Sequence, residues 1–170
     1  MASTVFPAPS AGGKTMFRTT LTSGTSYTVP AGVTYLNVTL YGGGGGGAGS
    51  GYASYSNPAG AGGVGGTTSF TGAVSAIGGN GGGVSHKGEN MVGVAAGANS
   101  YQGGSGGKIS GGQGTISDTG FIGQIVSSTL SATAGATIAY AIGAGGGGGS
   151  NSESSGGSGG SGKIDIEYWV

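Results

Sequence analysis

The 170-residue sequence contains no cysteine, which excludes disulfide bonds and thiolate metal sites. Charge is also scarce, with five basic and five acidic residues and a formal net charge of zero. The basic residues stand singly along the chain, so no basic patch exists for a phosphate backbone, and we expect no nucleic-acid partner. One histidine and five scattered carboxylates give no spaced set of metal ligands, so we expect no metal and no cofactor.

Long apolar runs are missing as well. No stretch approaches the roughly 20 apolar residues of a membrane-spanning helix, which argues against membrane insertion. The N-terminal residues lack the basic-then-apolar pattern of a signal peptide, so an extracellular location would be reached through lysis or assembly. No window has the periodicity of an amphipathic helix, which leaves strands and extended structure.

Short catalytic motifs occur, but glycine abundance explains them. Ser105 and Ser158 each satisfy G-x-S-x-G, yet neither has a strand before it and a helix after it, and only His86 could act as the base. Asp118 begins a single Asp-Thr-Gly triplet, where an aspartic protease pairs two, and a turn capped by this carboxylate is the simpler interpretation. Lys14 sits in a Gly-Lys-Thr triplet without the first glycine or the preceding strand of a phosphate-binding loop. The sequence therefore predicts a protein that is not an enzyme.

Glycine is what the chain has in excess, at 47 of its 170 residues. Each glycine held in regular structure costs roughly 0.5–1 kcal/mol relative to alanine. Glycine runs are therefore either flexible linkers or backbones packed densely enough for hydrogen bonds and Cα–H···O contacts to offset that cost. We predict packed backbones in the form of polyglycine II helices, which are left-handed and have three residues per turn.

Alternating patterns predict several strands between the glycine runs. In the clearest example Leu36, Val38 and Leu40 fill one face of a strand that runs directly into six glycines. The predicted strands are 15–21, 27–29, 35–41, 67–77, 116–131, 137–142 and 164–170. The expected fold is all-β: a small β-sandwich-like base of strands 15–21, 35–41, 67–77, 137–142 and 164–170, with packed glycine runs extending from it. We expect an extended N-terminal arm at 1–14 and a single domain at 15–170, and the strand pairing stays open.

Short polar and aromatic inserts interrupt the glycine runs at 52–58, 84–92, 99–102 and 151–155. Tyrosine, serine and asparagine on loops of a rigid frame supply contact area and hydrogen bonds at low entropic cost. The inserts are therefore candidate binding loops. The alternative is that they are only turns between glycine helices, with tyrosine side chains covering the backbone stack.

The ordered set SGTSYTVPAGVTYLNVTLYGGGGGG, GGTTSFTGAVSAIGGNGGG, GATIAYAIGAGGGGG and GGSGKIDIEYWV resembles the glycine-rich domain of bacteriophage tail fibre and tail-tip proteins. It covers about residues 20–170. The TIAYAI segment follows the TTSF segment here, whereas members of that family often have the reverse order. The alternation of glycine runs with inserts is also similar to tail-fibre tip adhesins, in which packed polyglycine II helices present loops to a host receptor.

The resemblance implies a virion protein that acts outside the cell, at a tail-fibre tip or as a receptor-binding domain. Its partners would be a host surface glycan or outer-membrane protein and other virion proteins, and a threefold fibre would make it a homotrimer. The implied receptor-binding residues are Tyr52, Tyr55, Asn57, His86, Lys87, Glu89, Asn90, Tyr101 and Gln102.

Two other functions fit the sequence. The chain could be a structural capsid or tail decoration protein that is assembled through its N-terminal arm. A flat polyglycine II face could also bind ice, although ice-binding proteins of this kind keep glycine at every third position and commonly use disulfides.

Overall fold

The computed structural model describes residues 13–49, 60–83, 120–150 and 155–170. These residues form seven strands and no helix, which confirms the all-β class. The strands are β1 (Met16–Leu21), β2 (Ser26–Thr28), β3 (Tyr35–Tyr41), β4 (Ser69–Phe70), β5 (Ile125–Ser131), β6 (Thr137–Ala141) and β7 (Lys163–Trp169).

The strands form two antiparallel sheets. One has four strands in the order β1-β7-β3-β5, and the other has three in the order β2-β6-β4. Alternation decides which residues face inward, because successive side chains of a strand point to opposite faces. Leu36, Val38 and Leu40 of β3 are buried, as are Ile164 and Ile166 of β7.

Residues of both sheets form one hydrophobic core. The buried residues of β3 and β7 belong to the same cluster as Phe70 of β4 and Tyr140 of β6, together with Val29 and Val33 from the connection before β3. The rings of Phe70 and Tyr140 stack with centroids 6.4 Å apart. The Tyr140 hydroxyl donates to the Ser23 carbonyl at 2.7 Å, so its polar end is satisfied.

The long strand predicted at 67–77 is wrong over most of its length. Only Ser69–Phe70 is a strand, and an isolated bridge joins Thr68 to Ala76. The chain turns between them, with the Ala73 N–H donating to the Phe70 carbonyl at 2.9 Å. Gly72 has φ of 93° and supplies the left-handed position of that turn, which a side chain would disfavour.

The piece predicted at 116–131 is a strand only from Ile125 onward among the described residues. It pairs with β3 along its whole length, from Tyr41 opposite Ile125 to Tyr35 opposite Ser131. Leaving it out of the predicted base was therefore wrong, because it forms one edge of the larger sheet.

Apart from the connections between strands at 22–25, 29–34, 71–76 and 132–136, the remaining described backbone lies in six glycine-rich runs on one side of the sheets. They are run 1 (42–49), run 2 (60–66), run 3 (77–83), run 4 (120–124), run 5 (143–150) and run 6 (155–162). Run 1 continues from β3 and run 5 from the end of β6, whereas runs 2, 4 and 6 lead back towards β4, β5 and β7. Run 3 starts directly after Ala76. Runs 1, 3 and 5 therefore lead away from the sheets and runs 2, 4 and 6 lead back, so the chain leaves the sheets and returns three times.

Candidate functional site

Run 1 is the centre of a bundle, and its N–H groups donate to three neighbours in strict rotation. Gly42, Gly43 and Gly44 donate in turn to run 4, run 2 and run 6, at Gln124, Gly66 and Gly160. Three residues further on the same rotation repeats with Phe121, Gly63 and Gly157, with donor–acceptor distances of 2.8 or 2.9 Å throughout both rounds. The backbone of run 1 therefore repeats every three residues.

The carbonyls of run 1 bind two further neighbours. Gly79 and Gly82 of run 3 donate to the carbonyls of Gly43 and Gly46 at 2.8 Å. Run 5 donates in the same way to Gly44 and Gly47. Five runs thus surround run 1 in the described part, and they also bond to one another in the order 4, 3, 2, 5, 6. All residues of run 1 are buried, so the core of the bundle is made of peptide groups.

Close approach of these backbones requires glycine at the contact positions. A Cβ placed on Gly45 would overlap the backbone carbonyl of Asn80 in run 3, and one on Gly46 would overlap the carbonyl of Gly147 in run 5. The Cα–H groups of the glycines therefore face carbonyl oxygens, the geometry of weak Cα–H···O contacts.

Side chains in the outer runs follow the same period of three and point to solvent. Run 6 places Ser155, Ser158 and Ser161 at every third position, and all three are exposed. Ala61 and Val64 of run 2 are exposed in the same way. Run 1 has glycine at 42–47 and the buried Ala48 after them, whereas the outer runs 2, 3, 4 and 6 carry exposed side chains between their glycines.

The described residues that flank segments 50–59, 84–119 and 151–154 lie at one end of the bundle, away from the sheets. Gly49 donates to Gly60 there, and Gly60 donates to Ser150. All nine predicted receptor-binding residues fall in 50–59 and 84–119 and so lie outside the described residues: Tyr52, Tyr55, Asn57, His86, Lys87, Glu89, Asn90, Tyr101 and Gln102. At the opposite end Thr15 and Val170 are hydrogen-bonded to each other.

A cluster of charged groups lies on the outer face of the four-stranded sheet, around the buried carboxylate of Asp165. Asp165 is 3% exposed and accepts hydrogen bonds from Arg18 at 2.7 Å, Thr20 at 2.6 Å and Lys163 at 3.2 Å. Lys163 and Asp165 are two residues apart and so fall on the same face of β7, but the alternation gives no sign that the carboxylate is buried. Its burial depends on β1, which pairs with β7.

These contacts set the ionisation of the cluster. Burial acts to raise the pKa of Asp165, but the hydrogen bonds from Thr20, Arg18 and Lys163 outweigh it and lower the pKa below its ordinary value. The hydrogen bond to Asp165 also raises the pKa of Arg18. Asp165 and Arg18 therefore stay ionised at neutral pH, and their contact joins β1 to β7.

Thr68 connects the sheets to the bundle. Its buried hydroxyl donates to the Tyr41 carbonyl at 2.7 Å and accepts from the Gly143 N–H at 2.9 Å. Tyr41 is the last residue of β3 and Gly143 the first of run 5, so one side chain fixes two runs where they leave the sheets.

The described residues contain no group of three or more histidine or acidic side chains placed to hold a metal ion. They also include no helix long and apolar enough to cross a membrane. Neither the models of known protein families nor the curated proteins give a match to this chain.

Proposed function

We propose that this chain is a non-enzymatic bacteriophage virion protein, a tail-fibre tip or receptor-binding domain that recognises the host cell surface. The observation that carries the proposal is that the two ends of the molecule differ. Three chain segments attach to the far end of the glycine bundle, while Thr15 and Val170 lie together at the opposite end of the sheets. A bundle that holds several segments at one end suits recognition at a tip.

We further propose that the six runs are polyglycine II helices. Rotation of the run 1 donors with a period of three supports this, because that helix has three residues per turn. At a rise of about 3.1 Å per residue, run 1 would carry its far end about 25 Å from the sheet. An experimental structure with φ near −75° and ψ near +145° along run 1 is the expected result, and strand angles with a period of two would contradict it.

The glycine bundle is held together by backbone hydrogen bonds, and a rigid bundle of this kind favours binding by the segments attached to it. Loops held at both ends by a rigid scaffold lose less entropy on binding, so more of the contact energy remains as affinity. The segments supply tyrosine, asparagine, histidine and lysine for a host surface glycan or an outer-membrane protein. Several copies on one virion, for example in a homotrimer, would multiply weak contacts through avidity.

The test replaces Tyr52, Tyr55, His86 and Tyr101 together with alanine in phage particles and measures adsorption to host cells. Adsorption should fall strongly, while the purified variant should melt at the same temperature as the unaltered protein. Val64→Ala is the matched control, because this exposed side chain lies on run 2, away from the attached segments. Normal adsorption by the correctly folded quadruple variant would refute receptor binding through these residues.

A decoration protein assembled through its N-terminal arm is the second candidate. The arm, residues 1–14, joins the sheets at the end that holds Thr15 and Val170, where it could reach a neighbouring virion protein. Deleting residues 2–13 should abolish assembly into the virion and leave binding of the purified domain to cells unchanged. Loss of cell binding in that deletion would count against the arm as a purely structural element.

A further inference from the structure

Two aromatic side chains lie exposed on the outer face of the four-stranded sheet, at the end away from the bundle. Tyr35 is 60% exposed and Trp169 is 38% exposed. Together with Lys14 and Thr34 they line an open depression of about 190 Å³. Both side chains line the same surface depression, whereas the aromatic rings of Phe70 and Tyr140 belong to the core.

Hydrogen-bonding side chains form the next row of the same face. Asn37 is paired with Glu167 on one side and with Thr129 on the other, two residues along the strands from the aromatic pair. That spacing is about 7 Å. These three residues line a second depression of about 350 Å³, together with Thr39 and Ser127. The surface therefore has an aromatic half and a polar half side by side.

This combination matches the chemistry of a sugar. A pyranose ring has an apolar face of C–H groups that packs on an aromatic ring, and a rim of hydroxyls that donate and accept hydrogen bonds. The Thr129 hydroxyl donates to the Asn37 amide oxygen at 2.8 Å, which leaves the Asn37 amide N–H groups as donors and the Thr129 oxygen and the Glu167 carboxylate as acceptors. Tyrosine and tryptophan supply contact area at low entropic cost.

The charges around the surface favour an uncharged saccharide. Arg18 and Lys163 are both paired with Asp165, and Glu167 lies 3.9 Å from Arg18, so these charged groups are engaged with one another. The core of a protein–protein interface is usually depleted of charged residues, whereas here Glu167 lies two residues from Trp169 on the same face of β7. Both depressions are open, which suits residues within a longer sugar chain.

We propose that the surface formed by Tyr35, Trp169, Asn37, Thr129 and Glu167 binds an uncharged oligosaccharide. This site consists of described residues only and lies at the opposite end from the segments proposed to bind the receptor. It does not rest on the phage assignment.

The chain itself provides the reporter, because Trp169 is its only tryptophan. The purified protein is titrated with maltotetraose, cellotetraose and mannotetraose while tryptophan fluorescence is followed, and calorimetry checks the affinities. At least one tetrasaccharide should change the fluorescence in a saturable way. Tyr35→Ala should weaken that binding by about tenfold or more, the equivalent of one lost stacking contact.

Two variants complete the test. Glu167→Gln keeps the shape and an acceptor, so it should weaken binding less than Tyr35→Ala. Val64→Ala should bind as the unaltered protein does, since Val64 lies on run 2. Equal melting temperatures would show that Tyr35→Ala is folded, as expected for an exposed side chain.

Either of two binding results would overturn the proposal, and so would evidence of self-association. One is the absence of saturable binding with all three tetrasaccharides, and the other is binding that Tyr35→Ala does not weaken. If instead the fluorescence changed only with protein concentration, and Tyr35→Ala removed that change, the surface would be a contact between copies of the chain and the saccharide proposal would be wrong.

Discussion

Gly45→Ala tests whether backbone packing holds the bundle together. The added methyl group would overlap the carbonyl of Asn80, so run 3 would have to move away from run 1. That movement endangers two hydrogen bonds, from Gly79 and Gly82 to the carbonyls of Gly43 and Gly46. Losing both would cost about 1–3 kcal/mol net.

Strain from the extra methyl group adds about 1–3 kcal/mol, as in other overpacked interiors. The total loss of about 2–6 kcal/mol is a large part of the about 5–15 kcal/mol that stabilises a typical protein. For a chain of this length each kcal/mol lowers the melting temperature by about 2–4 °C, so we expect a fall of about 4–24 °C.

Gly147→Ala is the matched control in the same bundle. A Cβ on Gly147 meets no atom within 4 Å, and the residue is exposed. This substitution should be neutral or stabilise by about 0.4–1 kcal/mol, because it restricts the unfolded chain. Calorimetry and chemical unfolding of both variants measure the difference. If Gly45→Ala and Gly147→Ala had the same melting temperature, run 1 would not be in backbone contact with its neighbours and the packing argument would fail.

Three further substitutions test the sheets and their junction with the bundle. Asp165→Asn should destabilise by about 1.5–3 kcal/mol at neutral pH, since three donors lose a charged acceptor. Because the folded-state pKa of Asp165 is lowered, its stabilisation is complete above its unfolded value of about 3.9 and is lost as the pH falls through the folded value. The melting temperature of Asp165→Asn should therefore fall less on acidification than that of the unaltered protein. Parallel plots of melting temperature against pH for the two proteins would contradict this. Thr68→Val should cost about 1–3 kcal/mol in chemical unfolding because the Gly143 N–H loses its acceptor, and Thr68→Ser, which keeps the hydroxyl, should recover most of it. Leu40→Ala should cost about 2–5 kcal/mol by calorimetry, since the side chain is fully buried, whereas a loss below 1 kcal/mol would show that the core is not closed there.

The strands that could be predicted from the sequence are those with strong local alternation. β3 and β7 each bury one face of regularly spaced aliphatic residues, so the pattern gives the bounds of β3 and places those of β7 to within one residue. The turn at Gly72 was missed, although a Thr-Gly pair inside a strand pattern signals such a break. The pairing of β5 with β3 could not be predicted, because the intervening chain gives no information about which edge of the sheet is free.

The sequence carries a local signal for the central position of run 1. Ser155, Ser158 and Ser161 repeat every three residues, as expected for a run with one exposed face, whereas 42–47 carry no side chain at all. A run enclosed by neighbours thus requires glycine at nearly every position, although glycine alone does not identify such a run, since Gly147 and Gly148 of run 5 are exposed. The burial of Asp165 had no local signal, since its partners Arg18 and Thr20 lie about 145 residues away in the chain.

The rotation of hydrogen bonds around run 1 limits how the molecule can vary in length. Inserting a single residue into run 1 would turn every later donor towards the wrong neighbour, whereas three residues would restore the rotation. Adding three residues to each run would lengthen the bundle by about 9 Å if the runs are polyglycine II helices. The bundles of homologous chains should therefore differ in length by multiples of three residues per run. The sequences of the sheets and of the far-end segments can vary independently of that length.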